Sequence, residues 1–185
     1  MFNENNMKNN IKKFKPLGPF EVNFDNMPGG KRITKDHIKN FWAATHELND
    51  KVRTGKGVYI FGMRVARAIL PCYVGKTMNS FERECFTERN LNIYNGEIIR
   101  YERNYKPFMF FVVYQHEKSQ KITDKVVREL EGYAINLAVE KNPDLANTRG
   151  TENDDRFSII DVGGKGSGKG ASTKPGKFLK EMMGF

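Results

Sequence analysis

Val58-Tyr59-Ile60-Phe61-Gly62-Met63 and Ala68-Ile69-Leu70-Pro71-Cys72-Tyr73-Val74 are two compact apolar runs rich in strand-forming residues. Arg64 to Arg67 between them reads as a hairpin connection, and Gly75 closes the second run. Downstream, Asn79 or Ser80 opens a helix carrying Phe81, Cys85 and Phe86, with Asn79 and Glu82 spaced as a capping box. A second helix is expected over Tyr94 to Arg103. Lys106-Pro107 then breaks the chain before a strand from Phe108 to Tyr114. Thr123 to Lys141 has the strongest helix signal, placing Val127, Leu130, Ala134, Leu137 and Ala138 on one face. Asn142-Pro143 ends it, and Arg156 to Val162 reads as one more strand.

Upstream of the hairpin, Thr34 caps a helix that runs to about Lys51, with Ile38, Phe41 and Trp42 near helical spacing. Phe20 to Phe24 alternates apolar and polar residues as a short strand does, and Met27-Pro28-Gly29-Gly30 makes a turn after it. Residues 1–15 hold five Asn and four Lys and read as a solvated tail. The expected division is a flexible tail over 1–15 and a strand-helix extension over 16–56. An α/β (α+β) core over 57–162, with a small mixed central sheet flanked by helices, is followed by a basic Gly/Lys-rich segment over 163–185.

Composition bounds the function. The 185 residues include 38% hydrophobic and 12% aromatic side chains, enough to bury a core rather than remain disordered. Lys plus Arg total 31 against 22 Asp plus Glu, a net charge of +9 that favours a polyanionic partner, nucleic acid ahead of an anionic membrane surface. The strongly apolar run Phe108 to Tyr114 is far short of the roughly 20 residues that cross a bilayer. The Asn- and Lys-rich start has no signal-peptide core. Cys72 and Cys85, with His37, His46 and His116 scattered, assemble no zinc site by spacing. A reduced, cytoplasmic setting without membrane attachment is the expectation.

Gly57-Val58-Tyr59 begins the first strand and Tyr73-Val74-Gly75-Lys76 ends the second. Arg83 follows eight residues after Gly75, with Glu131 in the long helix and Asn147 beyond Pro143. That ordered set resembles the GIY-YIG nuclease superfamily over roughly residues 57–150, with Val in place of Ile at both motif centres. Independently of the resemblance, paired strands can bring Tyr59 and Tyr73 to one face. Glu131 lies at the edge of the apolar stripe, partly desolvated unless Arg83 or a cation satisfies it.

The resemblance implies a hydrolytic phosphodiesterase acting on DNA with one divalent cation, Mg²⁺ or Mn²⁺, held by Glu131 with several waters retained. It implies that Tyr59 accepts a proton from the attacking water and that Tyr73 positions water or phosphate. The phenol needs help from Lys76, Arg83 or metal-bound water, Arg83 braces the phosphate with its fork of donors, and Asn147 orients the substrate or the metal shell. Many family members carry His or Tyr one helical turn after the arginine, where this chain has Thr87; Tyr94, His116, Arg89 or water then has to move the proton. Single- and double-stranded DNA both remain open, as does RNA, and the molecule is a monomer or homodimer. The rival expectation is a non-catalytic nucleic-acid-binding module that has kept the nuclease fold.

Basic residues near the motifs, Arg64, Arg67, Arg89 and Arg100, with Tyr94 and Tyr101 among them, suit a nucleic-acid path with stacking platforms. Gly163 to Gly170 nearly spells a phosphate-binding Walker loop, but Gly170 stands where Ser or Thr would hold Mg²⁺. The segment reads instead as a cationic stretch holding phosphates through Lys165, Lys169, Lys174 and Lys177, or as a solvated tail.

Overall fold

The computed structural model describes residues 12–66, 68–101, 105–114, 122–147, 157–159, 163–164 and 173–184. The chain opens with strand β1 (Lys12–Glu21), a small hairpin of β2 (Asp25–Met27) and β3 (Gly30–Arg32), and helices α1 (Lys35–Leu48) and α2 (Asp50–Thr54). The motif hairpin is β4 (Gly57–Val65) and β5 (Ala68–Thr77), followed by α3 (Phe81–Glu84), α4 (Glu88–Arg100) and β6 (Tyr105–Tyr114). Then come α5 (Asp124–Lys141), β7 (Phe157–Ile159), β8 (Gly163–Gly164) and α6 (Lys174–Met183).

Among the described residues, six strands form one sheet in the order β5-β4-β6-β1-β7-β8. The first four are antiparallel to their neighbours, and β7 runs parallel to β1. The sheet is therefore mixed and carries helices on both faces, the α+β architecture expected. One face puts Val58, Ile60, Val74, Phe110 and Val112 against Leu130, Ala134 and Ala138 of α5 and Leu179 and Met182 of α6. The other puts Tyr59, Phe61, Tyr73, Met109 and Phe111 against Phe41 and Trp42 of α1, Phe81 of α3, and Tyr94 and Ile98 of α4. Burial on both faces explains why β4 and β6 read as continuous apolar runs rather than as alternation.

The hairpin turn is tighter than Arg64 to Arg67. Val65 pairs with Ala68, and Ala66 takes a left-handed φ of 54°, the backbone sign that two-residue hairpin loops require. Gly57 is needed where β4 passes β6: its φ is 145°, and a side chain there would run into the carbonyl oxygen of Val112.

Several elements differ from the sequence expectation. Residues 12–15 are not solvated tail but the start of β1, which lies inside the sheet between β6 and β7. Phe14 is fully buried in the α5 face, and Leu17 is buried in the opposite one. Two apolar anchors in a strand covered on both sides outweigh the polar composition around them. Of the strand expected over 20–24, only Phe20 and Glu21 are strand, as the end of β1, and the β2/β3 hairpin follows across the Pro28-Gly29 turn. Ser80 rather than Asn79 caps α3, which ends after one turn at Glu84. Thr87 then caps α4, so that helix begins six residues before Tyr94. Within the basic C-terminal segment, Thr173 caps α6, whose Leu179, Met182 and Met183 enter the core. Phe157–Ile159 confirms the central part of the expected strand over 156–162; the remainder lies outside the described residues.

Candidate active site

Tyr59 and Tyr73 are brought together by the register of the motif hairpin. Tyr59 pairs with Gly75 and Phe61 pairs with Tyr73, so the two tyrosines are diagonal neighbours on one face. Their ring centroids are 6.3 Å apart, with Phe81 edge-on to Tyr59 at 6.3 Å and Tyr94 edge-on to Tyr73 at 5.8 Å. Gly75 makes this packing possible. A Cβ at that position would lie 2.6 Å from Cε2 of Tyr59, so the missing side chain is the slot into which the ring folds.

The two phenols differ in surroundings. Burial pushes the Tyr59 hydroxyl far above its usual range, and its main compensation is a hydrogen bond from Asn90, Nδ2 to Oη at 2.9 Å. Tyr73 is also raised, first by burial, but the charge of Arg89 pulls it down while that of Glu131 pushes it up. A hydrogen bond from Tyr59 lowers Tyr73 as well. Arg89 and Glu131 thus act on the Tyr73 end of the pair.

Glu131 reaches this end from the other layer. The helix that carries it, α5, covers the sheet face opposite the tyrosines, and β5 is the edge strand, so the two layers meet around that edge. The Glu131 carboxyl is held above the usual carboxylate range, chiefly by burial, with Lys76 and Arg128 opposing the shift and Asp124 adding to it. Lys76 itself is committed: its Nζ lies 3.0 Å from Oδ1 of Asp124, which also binds Arg128. Asp124 thereby sits below its usual value.

Asn147 is at the same edge, but its amide is spent on the backbone. Val74 N–H donates to Asn147 Oδ1 at 3.0 Å, and Asn147 Nδ2 donates to the Val74 carbonyl at 2.6 Å. Ala146 N–H donates to the Cys72 carbonyl at 2.9 Å and Asn142 Nδ2 to that of Pro71 at 2.7 Å. The segment after α5 therefore clips the free edge of β5 on both sides of Tyr73, satisfying groups that an edge strand leaves open.

The other expected site residues divide. Arg83 is exposed on α3, where its charge acts on Glu82, and the arginine coupled to the tyrosines is Arg89. Thr87 spends its hydroxyl accepting from Asn90 N–H at the start of α4. Tyr94 is fully buried and stacked on Phe61 at 4.3 Å, so it offers no surface for a base. Arg100 is paired with Asp144 at 2.6 Å, and Arg64 lies over the Phe178 ring at 4.8 Å. Arg67, His116, Lys165 and Lys169 lie outside the described residues.

Two participants were missed in the sequence. Asn90 follows Thr87 by three residues, a cap-and-N3 spacing that could have placed it on the first turn of α4. Asp124 follows the Thr123 cap directly and was readable as a first-turn acid.

Among the described residues, no group of three or more His, Cys, Asp or Glu is placed to hold a metal ion. The donor chemistry that does fit a divalent cation is the Glu131 carboxylate, half-buried and raised by desolvation, which suits a hard ion keeping most of its waters. No helix among the described residues is long and apolar enough to cross a membrane. No protein-family model, curated protein or solved structure gives a significant match to the chain.

Proposed function

We propose that this chain is a metal-dependent endonuclease of the GIY-YIG type that hydrolyses DNA phosphodiester bonds. The observation that carries the reading is the pair of phenols, Tyr59 and Tyr73, packed together on neighbouring strands, with the charges of Arg89 and Glu131 acting on Tyr73 and Lys76 acting on Glu131. A carboxylate, cations and a hydroxyl pair at one sheet edge are the groups a phosphodiester reaction uses. In the reaction an oxygen–phosphorus bond forms from water and the bond to the leaving 3′-oxygen breaks, while the water's proton passes into the phenol pair as the pair releases a proton to the leaving 3′-oxygen. Arg89 and the exposed Arg83 supply positive charge for the phosphate. Glu131 would hold Mg²⁺ or Mn²⁺, which when bound neutralises charge on the phosphate and the leaving oxygen. Asn147 acts through the backbone, fixing Val74 beside Tyr73.

A second reading, a nucleic-acid-binding module without catalysis, is favoured by the depth of the phenols: Tyr59 is 4% and Tyr73 is 7% exposed. The test compares wild type with Glu131→Ala on matched single- and double-stranded DNA and a control RNA, with Mg²⁺, Mn²⁺ or EDTA. The expected result is metal-dependent cutting reduced by about 10²-fold or more in the variant, with binding retained. Salt-sensitive binding by both proteins without cutting of any substrate selects the binding module.

A further inference from the structure

We propose that Asn90 is a positioning residue that fixes which way the hydroxyl pair of Tyr59 and Tyr73 points. The inference rests on the nuclease reading and adds a residue to it. Asn90 is 5% exposed, in the first turn of α4, and its backbone is anchored by the Thr87 hydroxyl. The same amide nitrogen, Nδ2, contacts the Tyr59 hydroxyl at 2.9 Å and the Glu84 carbonyl at 2.7 Å, with the Cys85 carbonyl a longer, weaker acceptor at 3.4 Å beside that of Glu84.

The carbonyl settles the orientation of the amide. A backbone oxygen only accepts, so the atom facing it has to be the nitrogen, and one of its two hydrogens is used there. The second hydrogen is then aimed at Tyr59, whose oxygen has to act as the acceptor. With that side of Oη occupied, the Tyr59 hydrogen is directed at its other neighbour, the hydroxyl of Tyr73. The result is a one-way chain, Asn90 to Tyr59 to Tyr73, running from the buried start of α4 to the end where Arg89 and Glu131 act.

Two consequences follow for catalysis. A fixed donor on a phenol oxygen favours the phenolate over the phenol and offsets part of the burial, which remains the larger effect at Tyr59. It also clamps the ring at its tip, while the Gly75 slot clamps its flank and Phe81 meets it edge-on. A ring held at both ends keeps the reacting oxygen in place, and a misplacement of about 1 Å costs on the order of 10²-fold in rate.

The test uses the full chain, with Asn90→Ala and the isosteric Asn90→Asp, on whichever substrate wild type cuts. Asn90→Asp replaces the donor with an acceptor and reverses the chain at nearly constant volume. Both variants are expected to lose about 10²-fold in kcat with KM within about twofold, and to move the rising limb of the pH–rate profile to higher pH. Asn90→His, which restores a ring N–H donor, is expected to recover part of kcat. A folded Asn90→Ala or Asn90→Asp with the wild-type kcat and pH limb overturns the inference while leaving the nuclease reading intact. A wild type that cuts neither DNA form nor RNA removes both. Should the Asn90 variants not fold, the contact is read in an otherwise native chain. Tyr59→Phe is expected to shift the Asn90 side-chain amide resonances, and unchanged resonances overturn the proposal.

Discussion

Glu131 links the stability of the fold to the function proposed for it. Its folded pKa lies above the usual carboxylate value of 4.5, chiefly through burial, so the folded chain binds this proton more tightly than the unfolded chain. The stabilisation is complete below the unfolded value and is lost as pH rises through the raised folded one. Glu97 on α4 is raised for the same reason, whereas Asp124, lowered by Lys76, has the opposite sign. The Glu131 share is therefore read as a difference between wild type and Glu131→Gln. In EDTA, the melting temperature of wild type is expected to fall relative to Glu131→Gln as pH rises from below 4.5 toward neutrality, and Mg²⁺ is expected to narrow the gap. Parallel pH curves for the two proteins would show that this carboxyl is not desolvated. Of the candidate site, Tyr59, Tyr73, Glu131 and Gly75 were legible as a set, because they stand in an ordered pattern with a strand and helix context. Arg89 was visible as a nearby charge and as one candidate for moving the proton, but its action on Tyr73 depends on where the first turn of α4 comes to rest. Asn90 was hidden for the same reason, as its partners are a phenol 31 positions away and a carbonyl six positions back.

Among the elements, the β5 edge is where layers, site and backbone satisfaction coincide. Asn147 makes two hydrogen bonds to Val74 in the manner of a further strand residue, and Ala146 and Asn142 extend the clip to Cys72 and Pro71. Removing the amide leaves a Val74 N–H and C=O without these partners. Asn147→Ala is therefore expected to cost about 1–3 kcal/mol in urea unfolding and to speed hydrogen exchange at the Val74 amide. An unchanged exchange rate at Val74 would mean that water replaces the side chain without loss. The hairpin, β6 and α5 were readable from their apolar patterns, since burial on both faces or along one stripe writes itself into residue order. The strand β1 was not, because its few apolar anchors, Phe14, Leu17 and Phe20, stand amid lysines, prolines and a glycine. The helix α6 was obscured by the glycines and lysines before it, although Thr173 and Pro175 mark its start.

Over the whole molecule, one sheet separates two cores, and the question is whether they melt as one. Leu179 of α6 is 1% exposed in the α5 face. Trp42 of α1 is 5% exposed in the tyrosine face and is the chain's single tryptophan. Leu179 and Trp42 belong to different cores on opposite faces of the sheet, so a response of Trp42 to a cavity at Leu179 has to pass through the sheet. The strands are the shared wall: Val58 and Ile60 face one core while Tyr59 and Phe61 of the same strand face the other. Neither face can lose its helices without exposing apolar surface on β4 and β6, which makes a half-melted molecule costly. Leu179→Ala is therefore expected to lower stability by about 2–5 kcal/mol and to move the Trp42 fluorescence midpoint by the same amount as the far-ultraviolet circular dichroism midpoint. A fluorescence transition that stays at its wild-type urea concentration while the dichroism shifts would show that the tyrosine face, with Tyr59, Tyr73 and Asn90, folds apart from α5 and α6. Glu131 belongs to α5, so coincident transitions also mean that the carboxylate and the phenols are assembled in a single step.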